Sequence, residues 1–303
     1  KNMGKPKHFL GLEINWTAFG VKLTQTKMIE RLAERFKVST HPLHSPMVAH
    51  STLEPEDHSD TKPDHSEYRS ICGSLNYLSS HGCRPDIAFV SKELSRNLSN
   101  PSHAHMRAAK RCVQYLYTTR HDGLNFDRRK NHLPQAYADA DFANQLSNRR
   151  STSGRVIILY GASVMWSAKQ QTTVALSTAE SEISALTDLG RDVIWLRRLL
   201  ADLGTPVLSP TPCLEDSKSA IKWSTDAASW SRTRHIDTYY HKLREWISAN
   251  VLKVEYCHTS VQRADVFTKA LPTEAHLEMK KHILGECALT TAFSRRSAAP
   301  AAA

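Results

Sequence analysis

The chain is 303 residues long, with 40% hydrophobic and 23% charged side chains, a composition that suits folded domains with a sizeable core and argues against wholesale disorder. No run approaches the roughly 18 apolar residues of a membrane-spanning helix and no apolar signal-peptide core follows the basic start at Lys1, which excludes an integral membrane protein. Forty Lys and Arg against 30 Asp and Glu leave a formal charge of +10, and this points to a polyanionic partner.

The charge excess is uneven: residues 1–130 hold 20 basic and 13 acidic side chains, the remainder 20 and 17. Residues 8–16 (HFLGLEINW) alternate Leu10, Leu12, Ile14 and Trp16, the period of a half-buried strand, and 21–25 returns after Gly20 as a hairpin partner. Met28, Ile29, Leu32 and Phe36 fall at helical spacing. Residues 38–66, rich in Ser, Thr, Pro, His and Asp, read as a long exposed connection whose histidines are solvated. Helices follow over 68–80, after the Arg84-Pro85 break, and over 102–118 behind Asn100-Pro101-Ser102. On the last of these Arg107, Lys110 and Arg111 share one face, opposite Met106, Val113 and Leu116. That face is either a phosphate-tracking surface or an ordinary solvated one.

A second unit begins near residue 134. QAYADADFA (135–143) suits a strand, and RVIILY (155–160) and SVMWSA (163–168) form a hairpin around Gly161-Ala162. The longest helical pattern covers 177–203 and stops at Gly204 with Pro206 beyond it. PCLED (212–216) is a strand leading into a helix, 235–249 is helical, VLKVEYCHT (251–259) alternates as a strand, 262–270 is a short helix, and 274–284 is the last helix. The expected units are 1–130, 134–272, a C-terminal helix within 273–290, and a disordered tail over 291–303. Six scattered cysteines without a C-x-x-C pair read as reduced thiols in an intracellular compartment rather than a zinc ribbon or disulfide scaffold.

Four acids sit where this layout would gather them: Asp139 in the first strand of the second unit, Glu182 in the first turns of the long helix, Asp216 ending the fourth strand, and Asp265 opening the short helix. They meet on one sheet edge if the first and fourth strands are neighbours. Helical spacing puts Glu182 at the margin of the apolar stripe of Ala179, Ile183, Leu186 and Val193, and turns Glu180 outward. Asp139 and Asp141 share a strand face, so periodicity does not choose between them. Clustered carboxylates repel; hard divalent cations such as Mg²⁺ or Mn²⁺ relieve that cost, and a pair of them can drive phosphodiester hydrolysis. The plainer alternative is four unrelated surface acids, with Asp216 a helix cap.

The segments YADADFA (137–143), RRSTSGRVI (149–157), WSAKQQTTVALSTAESEISAL (166–186), EDSKSAI (215–221), RTRHIDTYYHKLRE (232–245) and QRADVFTKALP (262–272) resemble the ribonuclease H domain of copia-type LTR-retrotransposon polyproteins. Upstream, HFLGLEI (8–14), YRSICGSLNYLSSHGCRPDIAF (68–89) and LSRNLSNPSHAHMRAAKRCVQYL (94–116) are similar to the part of the polyprotein after the polymerase palm. The resemblance implies a mixed α/β, RNase H-like fold with a five-stranded mixed sheet flanked by helices. Before it stands a mostly helical, thumb- or connection-like unit with an N-terminal β-hairpin. It also implies cleavage of the RNA strand of RNA–DNA hybrids with two Mg²⁺ ions, Mn²⁺ being a substitute. Asp139, Glu182, Asp216 and Asp265 match the four metal-binding acids. Arg149, Arg150 and Lys169, within the matched segments, join Arg107, Lys110 and Arg111 as candidate contacts to the hybrid.

The chain departs from the family at Ile183, where an aromatic is usual, at Phe142, often Trp, and at Asn144, often Gly. It lacks the Tyr-x-Asp-Asp segment and fingers of a polymerase, reads as the tail of something longer, and has that upstream palm and fingers as expected partners. The implied location is intracellular, in cytoplasm, nucleus or virus-like particle. The alternative reading is a catalytically inactive nucleic-acid-binding remnant. The chain order Asp, Glu, Asp, Asp disfavours an integrase. His235, His241 and His258 could serve product release or water delivery, with structural hydrogen bonding the simpler role. Trp166, Trp195, Trp223, Trp230 and Trp246 read mainly as core. No nucleophile elbow, P-loop or dinucleotide fingerprint is present.

Overall fold

The computed structural model describes residues 4–49, 51, 53, 62–144, 148–225 and 237–285; His235, Trp230, Cys287 and the expected tail lie outside the described residues. The chain opens with β1 (His8–Phe9), β2 (Leu12–Trp16), β3 (Gly20–Thr24) and α1 (Thr26–Arg35). The single strand expected over 8–16 is broken at Leu10-Gly11, where φ is 46° and 77°. Two successive positive φ values make a two-residue hairpin turn, so Phe9 pairs with Leu12 and Leu10 stands 75% exposed at the tip.

The helices α2 (His65–Ser80), α3 (Ala88–Ser95) and α4 (His103–Thr118) follow, then β4 (Leu124–Asp127). Ser102 caps α4 by accepting from the His105 amide, and His105 returns a bond to the Ser102 amide, which satisfies two otherwise orphaned donors. β4 pairs antiparallel with β3, so the expected hairpin is part of a four-stranded sheet, β1-β2-β3-β4. The 38–66 connection is not exposed throughout. Met47 is buried in the core formed by α1, α2 and α4, and Arg111 donates to Ser45.

The second sheet contains β5 (Gln135–Asp141), β6 (Thr152–Leu159), β7 (Ala162–Gln170), β8 (Thr211–Glu215) and β9 (Leu252–Tyr256), with helices α5 (Thr178–Asp202), α6 (Lys218–Thr225), α7 (Asp237–Ser248) and α8 (Thr273–Leu284). Its order is β7-β6-β5-β8-β9. The first three strands are antiparallel, whereas β8 runs parallel to β5 and β9 parallel to β8. The β6–β7 turn is Tyr160-Gly161, φ 52° and 86°, one residue earlier than expected. This is the five-stranded mixed sheet of the RNase H-like fold. The short helix expected over 262–270 is instead two 3₁₀ turns, Thr259–Val261 and Asp265–Phe267.

Alternation divides the two faces of β5. Ala136, Ala138 and Ala140 pack against Ile183, Leu186, Leu189 and Val193 of α5; small residues on the strand let the helix come close. Tyr137 points the other way, into a core with Val156, Phe267, Ile283 and Leu284 that also takes in Cys83, Ala88 and Leu124 from the upstream part of the chain. Polar contacts cross the same junction. Trp166 donates to the Ser79 carbonyl at 2.5 Å. On the upstream side of that junction, Arg84 and Asp86 form a buried ion pair at 2.7 Å. Tyr115 donates to Asp86 at 2.6 Å and lies 3.0 Å from His276 of α8, and Lys280 pairs with Asp122 at 2.7 Å. Among the described residues no helix is long and apolar enough to cross a membrane.

Candidate active site

The parallel pairing of β5 and β8 opposes Ala136 to Cys213 and Tyr137 to Leu214. Carried two residues further, that register brings Asp139 level with Asp216, just past the end of β8. Ser177 caps α5 by accepting from the Glu180 amide, which fixes where the helix starts and sets Glu182 over the same sheet edge. One carboxylate oxygen from each of Asp139, Glu182 and Asp216 lies within 4.8 Å of the others. Asp139 and Glu182 are buried and Asp216 is half-buried.

Two threonines orient the aspartates. Thr268 donates to Asp139 Oδ2 at 2.5 Å, and Thr259 donates to Asp216 Oδ2 at 2.6 Å. Both belong to the segment after β9, which Gln262 anchors by donating to the Ala138 carbonyl at 2.8 Å. Gly154, opposite Asp139 on β6, allows that close approach: a Cβ there would lie 2.7 Å from the Ala264 carbonyl oxygen and 2.7 Å from Thr268 Cγ2. Ser217 rather than Asp216 serves the start of α6, accepting from the Ala220 amide, so the cap reading of Asp216 gives way.

The fourth acid, Asp265, stands beside Asp139 but outside the converging trio. Lys269 pairs with its Oδ1 at 3.0 Å. Burial, and then the neighbouring Asp139, push its carboxyl up to about 7. Burial raises Glu182 well above the usual carboxylate range, with Glu215, Asp139 and Asp216 adding to the effect. Glu182 Oε2 is buried with no hydrogen-bond partner. Among the described residues, no Lys or Arg forms an ion pair with any of the three. Three converging hard oxygen donors, one buried and unsatisfied, fit a divalent cation of the Mg²⁺ or Mn²⁺ type.

Glu180 does not turn outward as its helical angle suggested. It is 8% exposed and accepts the Leu176 amide at 2.7 Å. Near a helix start the first-turn acid folds back onto orphaned backbone donors, so helical angle alone misplaces it. Asp141 lies at the end of β5 and is raised by burial, against a hydrogen bond from Asn144.

Local patterns did not reveal Glu215, Thr259, Thr268, Lys269 or Gly154. Glu215 could have been flagged by alternation, since it shares a β8 face with the buried Thr211 and Cys213. The others act through contacts distant in sequence.

Of the candidate hybrid contacts, Arg149 and Lys169 are exposed and Arg150 half-buried. All three lie near the start of β6 and the end of β7, the sheet end that carries the acids. Lys92 of α3 reaches this end too, donating to Thr152 Oγ1 at 2.7 Å. Arg107 is exposed on α4, whereas Lys110 pairs with Glu67 at 2.8 Å and Arg111 is engaged with Ser45. His258 is exposed and bonds Ser260 at 2.9 Å. His241 is exposed on α7. Cys257, beside the acids, has its thiol pushed up to about 12 by burial and then by Asp216 and Glu215. Trp195 is exposed, contrary to a core role, while Trp166, Trp223 and Trp246 are partly buried.

No protein-family model matches the chain. It is 35% identical over 294 residues to the retrovirus-related Pol polyprotein from transposon TNT 1-94 of Nicotiana tabacum, a match over 94% of this chain and 22% of that protein. It is 31% identical over 278 residues to the corresponding polyprotein from transposon RE2 of Arabidopsis thaliana, over 91% of this chain and 19% of that protein. The chain therefore spans about a fifth of the length of these relatives. Among solved structures, the N-terminal RNase H domain of rv2228c from Mycobacterium tuberculosis is similar over 50% of this chain and 98% of its own, at 13% identity and a TM-score of 0.34. The foamy viral protease-reverse transcriptase in complex with RNA/DNA hybrid is similar over 87% of this chain and 30% of its own, at 15% identity and a TM-score of 0.44. Both scores are low, so the fold rests on the strand order and the parallel β5–β8 pairing. With its matched length running through both sheets, the chain belongs to the copia-type retrotransposon Pol polyproteins.

Proposed function

We propose that the chain acts as a divalent-metal-dependent ribonuclease H, cutting the RNA strand of RNA–DNA hybrids during reverse transcription of its element. The observation that carries this reading is the convergence of Asp139, Glu182 and Asp216 within 4.8 Å, with a buried oxygen of Glu182 unsatisfied. These three would hold the cation, and Asp265 would join them on release from Lys269. Mg²⁺, as two ions or with Mn²⁺ substituting, supplies Lewis acidity that activates water and stabilises the leaving oxygen of a phosphodiester.

The chain's own residues do the positioning. Thr268 and Thr259 fix the rotamers of Asp139 and Asp216, so little freedom is lost when the substrate arrives. Lys269 keeps Asp265 charge-compensated beside Asp139. Arg149, Arg150 and Lys169, at the acid-bearing end of the sheet, would serve as phosphate contacts; Arg107 on α4 would extend the track. Contacts to 2′-hydroxyls along an A-like duplex would select the RNA strand. The polymerase palm and fingers of the same polyprotein are the expected partners, and the expected setting is intracellular.

A labelled RNA–DNA hybrid tests the reading. Cleavage with Mg²⁺ that EDTA stops and Asp139→Asn abolishes is the expected result. Hybrid binding without cleavage in Mg²⁺ or Mn²⁺ would leave a binding remnant instead.

A further inference from the structure

One buried acid beside the trio is not among those that the resemblance to the ribonuclease family assigns. On β8, Thr211, Cys213 and Glu215 face α5, and Cys213 is part of the core there. That face calls for apolar or small side chains, yet Glu215 is 0% exposed. Its Oε1 accepts the Ser217 amide at 3.0 Å. Its Oε2 is buried with no hydrogen-bond partner, and among the described residues no Lys or Arg pairs with it. Glu182, on the facing helix, has an unsatisfied buried oxygen as well, and Glu215 is the strongest charged influence on it. Two such carboxyls, desolvated on facing elements, are costly to ionise unless a cation offsets the charge. The nearest place for that cation is the space between Asp139, Glu182 and Asp216.

We propose that Glu215 is a further carboxylate of the metal centre, a positioning residue that backs Glu182 and raises the affinity of the trio for a divalent cation. The inference rests on the trio being a metal site. A buried carboxylate behind the ligands is unfavourable over an empty site and is offset when a cation binds in front of it.

The test is calorimetric titration of the full chain with Mg²⁺, alongside melting in EDTA and in Mg²⁺. Glu215→Gln keeps an acceptor for the Ser217 amide and removes the charge. Mg²⁺ affinity should weaken about tenfold or more, the scale of one charge at short range in partly desolvated surroundings. In EDTA the variant should melt no lower than wild type, and its gain on adding Mg²⁺ should shrink. Should the amide fail to fold, Glu215→Leu, suited to the α5-facing core, carries the same measurement. Unchanged Mg²⁺ affinity in the folded variant, with equal melting shifts in both conditions, would show a purely structural role and overturn the proposal. Asp139→Asn separates the two levels. If it abolishes Mg²⁺ binding while the Glu215 variant binds normally, only the Glu215 inference fails; if it leaves binding intact, the trio is not the metal site and both fail.

Discussion

Replacing Gly154 by Ala adds one methyl group at the place where the sheet meets the segment carrying Thr268 and Asp265. That methyl would lie 2.7 Å from the Ala264 carbonyl oxygen, 2.7 Å from Thr268 Cγ2 and 2.9 Å from Phe267 Cβ. Carbon atoms rest at roughly 3.5–4.0 Å, so the segment must shift by most of an ångström. If it stays, overpacking costs about 1–3 kcal/mol. If it withdraws, the Thr268 bond to Asp139 is lost, and a hydrogen bond to a charged group contributes about 1.5–3 kcal/mol. These are alternative routes, so the expected destabilisation is about 2 kcal/mol, or a melting shift of roughly 3 °C for a protein of this size. Gly73→Ala is the internal control. Gly73 lies in α2 with nothing within 4 Å of the added carbon, so the same change there should stabilise by about 0.5–1 kcal/mol. Thermal melts of both variants check the pair. A Gly154 variant that melts with wild type, or shifts no more than the Gly73 variant in the same direction, would refute the claim that this glycine lets the segment reach Asp139.

Adding Mg²⁺ to metal-free protein should raise its melting temperature, by about 1.4 kcal/mol of stability per tenfold increase above the dissociation constant; Asp139→Asn should abolish the effect without unfolding the chain, and a concentration-independent melt would count against a metal site. Asp86→Ala strands the Arg84 guanidinium in the core and should cost about 3–5 kcal/mol, read from urea midpoints; a loss below about 1 kcal/mol would mean the pair behaves like a surface bridge. His276 is held neutral, its pKa lowered by burial from 6.5 to about 4, with Asp86 opposing and Lys280 and Arg84 assisting. Its contribution to stability is therefore complete above pH 6.5 and lost as pH falls through about 4, at up to roughly 1.4 kcal/mol per pH unit. The stability difference between wild type and His276→Gln should follow that window, and a difference independent of pH would contradict it.

Much of the second sheet was legible because its elements announce themselves locally. The strand ADAD, the capped helix from Ser177 and the strand before Asp216 each carry their own period or cap, and adjacency of the first and fourth strands was enough to bring Asp139 to Asp216. Glu182 followed from helical angle; Glu180 did not, because an acid in the first turn answers to unsatisfied amides rather than to the apolar stripe. β4 escaped notice since four residues are too few to show alternation. Thr268 lies 129 residues from the aspartate it orients, a separation at which no pattern within a segment speaks. Glu215 was visible as an inward position, but an inward carboxylate contradicts the rule that defines such positions, and only the fold shows which other carboxylates lie near it.

The joint core beneath Tyr137 has a consequence for how this stretch of polyprotein behaves when its backbone is cut. A nick in the exposed connection at 131–133 would sever the peptide while leaving Cys83, Ala88 and Leu124 packed against Phe267 and Ile283 and the Arg84–Asp86–Tyr115–His276 chain intact. The pieces would co-purify as a non-covalent heterodimer. Protease susceptibility there would thus report surface access of a loop, not liberation of an independent domain.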